Sequence, residues 1–174
     1  MKKAFQLKSL SFMILALLIS GVASAQTDPK PLASPRDSVT AKAGSATITI
    51  NYGSPSVKGR KIWGSLVPYS QVWRSGANMA TTFTTDKDIT VEGKKLAAGT
   101  YSFFTIPTEG DWTIIFNKIA VQPGSYKYDV AQDALRATVK PVKSAEKHER
   151  LVYKINTDGF TLNWDDVTIP VSIK

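Results

Sequence analysis

Residues 53–78 gather the side chains best suited to hold a ligand. Lys58, Arg60, Lys61 and Arg74 bring cationic groups into one irregular segment, and Gly53, Gly59, Gly64 and Gly76 let its backbone come close to another group. A guanidinium presents a planar fork of donors that matches a carboxylate or phosphate. Turn amides add an anion-holding concavity, and Asn78 supplies both a donor and an acceptor. Trp63 and Trp73 offer flat walls. Lys58, Arg60, Trp73, Arg74 and Asn78 are therefore the candidate ligand-binding residues, for a small anionic or carbohydrate ligand such as a sugar acid. A competing reading gives Arg60 and Arg74 to ion pairs with Asp129 or Asp133 that pin the loop. In that reading Trp63 and Trp73 close the end of a core.

Other chemistries find little support. The chain has no Cys, which removes thiol catalysis and thiolate metal sites. His148 is the single His and sits among charges in Glu146-Lys147-His148-Glu149-Arg150, so a surface His is expected there and no metal site or cofactor. Gly-x-Ser-x-Gly is absent, as are phosphate-loop and dinucleotide patterns. The pairs Asp86/Asp88 and Asp165/Asp166 stand beside strand ends, where Asp forms turns. Asp129 and Asp133 are the carboxylates nearest the irregular region, should a two-carboxylate mechanism operate. Catalytic residues are not identifiable from these patterns.

The elements that must position the loop read as short strands. Ser45–Tyr52 places Ile48, Ile50 and Tyr52 on one face and Thr47, Thr49 and Asn51 on the other. Further strands are expected at 80–85, 101–106, 112–117 and 135–142. Hairpins are expected at 89–96, around Glu92-Gly93-Lys94-Lys95, and at 151–164, around Asn156-Thr157-Asp158-Gly159. Val167–Ile173 closes the chain, with Pro170 pointing to an edge. Trp112 and Trp164 alternate with polar residues and belong to the core. Residues 53–78 and 118–134 fit no strand, and the second stretch has room for a short helix at 130–135. The expectation is an all-β fold, an antiparallel β-sandwich or jelly-roll-like barrel with one long irregular loop segment.

The N-terminus reads as an export signal. Lys2, Lys3 and Lys8 precede the apolar run Phe12–Ile19, and Ala23-Ser24-Ala25 offers a small-residue cleavage site, so residues 1–25 are expected to be removed before Gln26. The run is short of the roughly 20 residues a membrane helix needs. Residues 26–36, rich in Pro and small polar residues, read as a flexible leader, and 37–174 as a single all-β domain. The formal net charge of +8 comes from 22 basic and 14 acidic residues, and the chain stays basic without its first three lysines. In a periplasmic or secreted protein the available anions are envelope surfaces, acidic glycans and small metabolites rather than nucleic acid.

The loop Tyr52-Gly-Ser-Pro-Ser-Val-Lys58-Gly-Arg60-Lys61-Ile-Trp63-Gly, followed by Val72-Trp73-Arg74-Ser75-Gly76-Ala77-Asn78, resembles a family of exported bacterial proteins, domain of unknown function 2911 (DUF2911). The likeness extends through Ala98-Gly99-Thr100-Tyr101-Ser102, Trp112-Thr113, Phe116-Asn117-Lys118 and Asp133-Ala134-Leu135-Arg136. It implies a Bacteroidetes-like envelope protein and no particular reaction. Three functions follow as expectations: a binding module for a small anionic or glycan ligand, an enzyme with an Arg/Asn/Asp pocket, or a structural partner of envelope proteins.

Overall fold

The computed structural model describes residues 33–174. The expected signal peptide, and the leader up to residue 32, lie outside the described residues. Among the described residues no helix is long and apolar enough to cross a membrane.

The fold is all-β. Ten strands follow in order: β1 (Arg36–Ala43), β2 (Ala46–Gly53), β3 (Thr81–Thr85), β4 (Ile89–Val91), β5 (Lys94–Leu96), β6 (Gly99–Ile106), β7 (Trp112–Asn117), β8 (Asp133–Val139), β9 (Val142–Asn156) and β10 (Gly159–Ser172). Among the described residues a single 3-10 turn, Val130–Gln132, occupies the place expected for a short helix. β1-β2-β3-β6-β7-β8 form one antiparallel sheet, while β9-β10 and β4-β5 form two ribbons. The sheet does not close on itself, so a sandwich is the outcome and not a barrel.

Alternation explains the packing. Ile48 and Ile50 of β2, Phe83 of β3, Phe103 of β6 and Ile114 and Phe116 of β7 turn inward. They meet Leu151, Tyr153, Phe160, Leu162, Ile169 and Val171 from the β9-β10 ribbon in one core. Each such side chain removed from water contributes about 1.5–3 kcal/mol before entropy is counted. The ribbon completes the second layer through its edges. Val57 N–H donates to Glu149 O and Leu151 N–H to Pro55 O, so the start of the long loop pairs with β9. At the chain end, Thr90 and Lys174 exchange backbone hydrogen bonds that tie β4 to the residues after β10.

The ribbon is sharply bent. Asp165 has φ 55, and the register shifts on both sides of it. The bend brings the two ends of β10 together, with Ile173 N–H donating to Asp158 O at 2.8 Å. Gly159 lies so close to Val171 that a Cβ there would stand 1.9 Å from the Val171 carbonyl oxygen.

The opposite face of the large sheet is hydroxylated. Strand register aligns Thr40, Thr49, Thr84 and Thr100 in one row across four strands. The next row is Ser38, Asn51, Thr82, Ser102 and Asn117. A satellite cluster of Ala80, Phe104 and Ile115, packed by Val72, Ile106 and Tyr128, covers the β6-β7 part of this face.

Candidate functional site

A cleft of about 630 Å³ opens over the exposed half of the second polar row. Ser38, Asn51 and Thr82 supply its floor from β1, β2 and β3, with Arg36 at the start of β1 and Gly53 opposite it in register. Ala77, Asn78, Met79 and Ala80 form one wall, and Val121 and Gln122 another. The volume falls inside the roughly 300–1,000 Å³ of small-molecule sites.

Each wall has a physical anchor. The long loop returns to the sheet at Trp73, which exchanges backbone hydrogen bonds with Thr105 at 2.8 and 2.9 Å. The Ser75 carbonyl accepts hydrogen bonds from the Thr81 hydroxyl at 2.9 Å and from the buried Tyr153 hydroxyl at 2.7 Å. Ala77 N–H then donates to Gly53 O at 3.1 Å. That approach requires glycine, since a Cβ on Gly53 would lie 2.2 Å from Ala77 O. Asn78 follows in the left-handed region, φ 64, a conformation Asn tolerates better than most residues. Its Nδ2 donates to Ser34 O at 3.0 Å, and among the described residues its Oδ1 has no partner.

The second wall hangs on Gln122, which is buried. Its Nε2 donates to Ser102 Oγ, Asn117 Oδ1 and Ile119 O at 2.9–3.1 Å, while its Oε1 is buried without a partner among the described residues. Asn117 in turn donates to Asp129 O and Asp133 Oδ1, both at 2.9 Å. This chain of amides fixes the 118–132 segment over the covered half of the polar row.

The cleft lining carries one cation, Arg36, and one carboxylate, Asp37. Alternation puts Arg36 on the face of Ser38 and Asn51, whereas Asp37 shares the opposite face with Tyr52. The Tyr52 hydroxyl donates to Asp37 Oδ2 at 2.9 Å, and Ser38 N–H donates to Oδ1 at 2.8 Å. Burial, with the Asp37 carboxylate adding to it, pushes the Tyr52 pKa up from 10.0 to about 12. Among the described residues Arg36 makes no ion pair, leaving its guanidinium the one cationic side chain in the cleft lining.

Of the residues singled out from sequence, Asn78 lines the cleft, while Lys58, Arg60, Trp73 and Arg74 lie outside its lining. Lys58 is exposed, and its backbone N–H donates to Glu149 Oε1. Arg60 turns back on its own loop, donating to Val57 O and Ser56 O. Trp73 joins Trp63, Trp112 and Trp164 in one aromatic cluster, stacked on Trp164 at 5.8 Å. Arg74 has a buried Nε with no partner among the described residues. The competing reading, in which Arg74 or Arg60 pairs with Asp129 or Asp133, finds no such ion pair among the described residues. Asp133 accepts instead from Tyr128, Asn117 and Arg136, because the 3-10 turn delivers it to β7 rather than to the long loop. Arg36, Ser38, Asn51, Thr82 and Gln122 also line the cleft, and residue type alone does not single them out. The signal available was the alternation Arg36, Ser38, Thr40, Lys42 against Val39, Ala41 and Ala43, which marks Arg36 as the first strand residue and not the last of a leader.

Residues 34–173 match a family model described as "Protein of unknown function (DUF2911)". No curated protein and no solved structure matches the chain.

Proposed function

This chain belongs to the DUF2911 family, and we propose that it is an exported envelope protein that binds a small anionic or glycan ligand in the cleft between β1-β2-β3 and Asn78. The observation that carries the reading is the convergence of Arg36, Ser38, Asn51, Asn78 and Thr82 on one ligand-sized concavity. Such a set offers donors and acceptors on rigid strands, the usual support for specific recognition. In this reading Lys58, Arg60, Trp73 and Arg74 are the scaffold that carries Asn78 to the rim. Hydrolysis of a glycoside would need two facing carboxyl groups. Asp37 is the single carboxylate among the lining residues, and Tyr52 and Ser38 already engage it. Retention of a ligand therefore fits better than its cleavage.

Thermal-shift screening of the purified protein against small organic anions and saccharides tests the proposal. A ligand at about 100 times its Kd stabilises by about 2.7 kcal/mol, a readable shift. Asn51→Ala and Asn78→Gly should each remove most of that shift. Glycine keeps the left-handed backbone at position 78 while deleting the amide. A shift that survives both substitutions, or no shift across the library, contradicts the proposal.

A further inference from the structure

Resting on the cleft as the binding site, we infer that its ligand is an acidic saccharide, a sugar ring carrying a carboxylate, with Arg36 as the residue that reads the charge. The lining divides into two kinds of group. Ser38, Asn51 and Thr82 stand in one register row, an array of hydroxyl and amide groups across three strands. Neighbouring strands are spaced about 4.7–4.9 Å apart. Such an array suits ring hydroxyls on alternate carbons, each of which both donates and accepts. Asn78 Oδ1 adds an acceptor at the rim, since its Nδ2 is committed to Ser34 O. Val121, 73% exposed, provides an apolar rim for the C–H face of a ring.

The charged group breaks the symmetry of this hydroxyl-reading surface. The Asp37 carboxylate also belongs to the cleft lining, but its oxygens accept from the Tyr52 hydroxyl at 2.9 Å and the Ser38 N–H at 2.8 Å, and among the described residues it makes no ion pair with Arg36. Arg36 thus keeps its fork of donors for a carboxylate in the ligand. A small inorganic anion would use Arg36 but leave the polar row unread, and a neutral sugar would leave Arg36 unpaired.

Isothermal titration with a uronic-acid oligosaccharide and its neutral, carboxyl-reduced counterpart decides the matter. The acidic form should bind at least about tenfold more tightly, the scale of one charged hydrogen bond. Arg36→Gln should abolish the preference while neutral binding persists, and Arg36→Lys should restore only part of it. Asn51→Ala should weaken both forms. Equal affinity for the two forms, with both sensitive to Asn51→Ala, overturns the acidic class and leaves the cleft standing. Binding indifferent to both Arg36→Gln and Asn51→Ala overturns the cleft itself. Failure of the acidic saccharide to bind overturns the inference, while a thermal-shift response to a simple anion lost in Asn78→Gly would still uphold the cleft.

Discussion

Tyr52 holds its hydroxyl between the Asp37 carboxylate and the Tyr153 amide, and its pKa is raised from 10.0 to about 12 by burial above all. Tyr153, fully buried, is pushed upward by the same cause. A raised tyrosine pKa means that the folded state keeps a proton the unfolded state releases. Stability is therefore full below pH 10 and declines as pH climbs toward about 12. Melting followed by circular dichroism across that range should show the decline, and Tyr52→Phe should make it shallower. An unchanged slope would place the alkaline sensitivity elsewhere. Arg74 poses a different question. Its buried Nε lacks a partner among the described residues, a cost that a lysine does not carry. Arg74→Lys should accordingly change stability by less than about 1 kcal/mol and leave ligand affinity unchanged. A tenfold loss of affinity would return the site to the long loop. The sequence shows that this loop is rich in cations, but residue type alone does not tell a guanidinium that caps its own turn, as Arg60 does, from one that faces a ligand.

At the scale of elements, close backbone approaches carry the geometry. Gly159→Ala would force a Cβ to 1.9 Å from Val171 O, with φ 146 already outside the ordinary range for a side chain. Unfolding by denaturant should show a loss of about 3 kcal/mol or more. Gly53→Ala should cost both stability and ligand affinity, because the clash with Ala77 O displaces the arm that bears Asn78. Strands with alternating large apolar residues, such as β2 and β7, were legible from sequence, as were both hairpins. The β4-β5 turn is tighter than expected, with Glu92 and Gly93 alone making it at φ 47 and 79. The first half of β9 was not legible, because Lys143–Arg150 is charged on both faces and apolar periodicity has nothing to mark there. β10 reads as two strands in sequence for a physical reason: its bend at Asp165 falls between them.

At the scale of the whole molecule, the four tryptophans form one cluster between the two layers, from loop, β7 and β10. Their emission should be blue-shifted and resist quenching by iodide until the protein unfolds. Ready quenching in the native state would mean that the sandwich end is open. Mass spectrometry of exported material should find a chain starting at Gln26, as the Ala23-Ser24-Ala25 site predicts, and a chain retaining Met1 would refute it. The fold class was legible because it depends on periodicity summed over many residues. The cleft was not, because it arises where a register row on three strands meets two loops anchored by buried amides. Amide chemical-shift mapping during titration with the uronic-acid oligosaccharide tests the central claim most directly. Perturbations should concentrate at Arg36, Ser38, Asn51, Gly53, Asn78 and Thr82. Perturbations centred on Lys58–Arg74, or none at saturating saccharide, would contradict it.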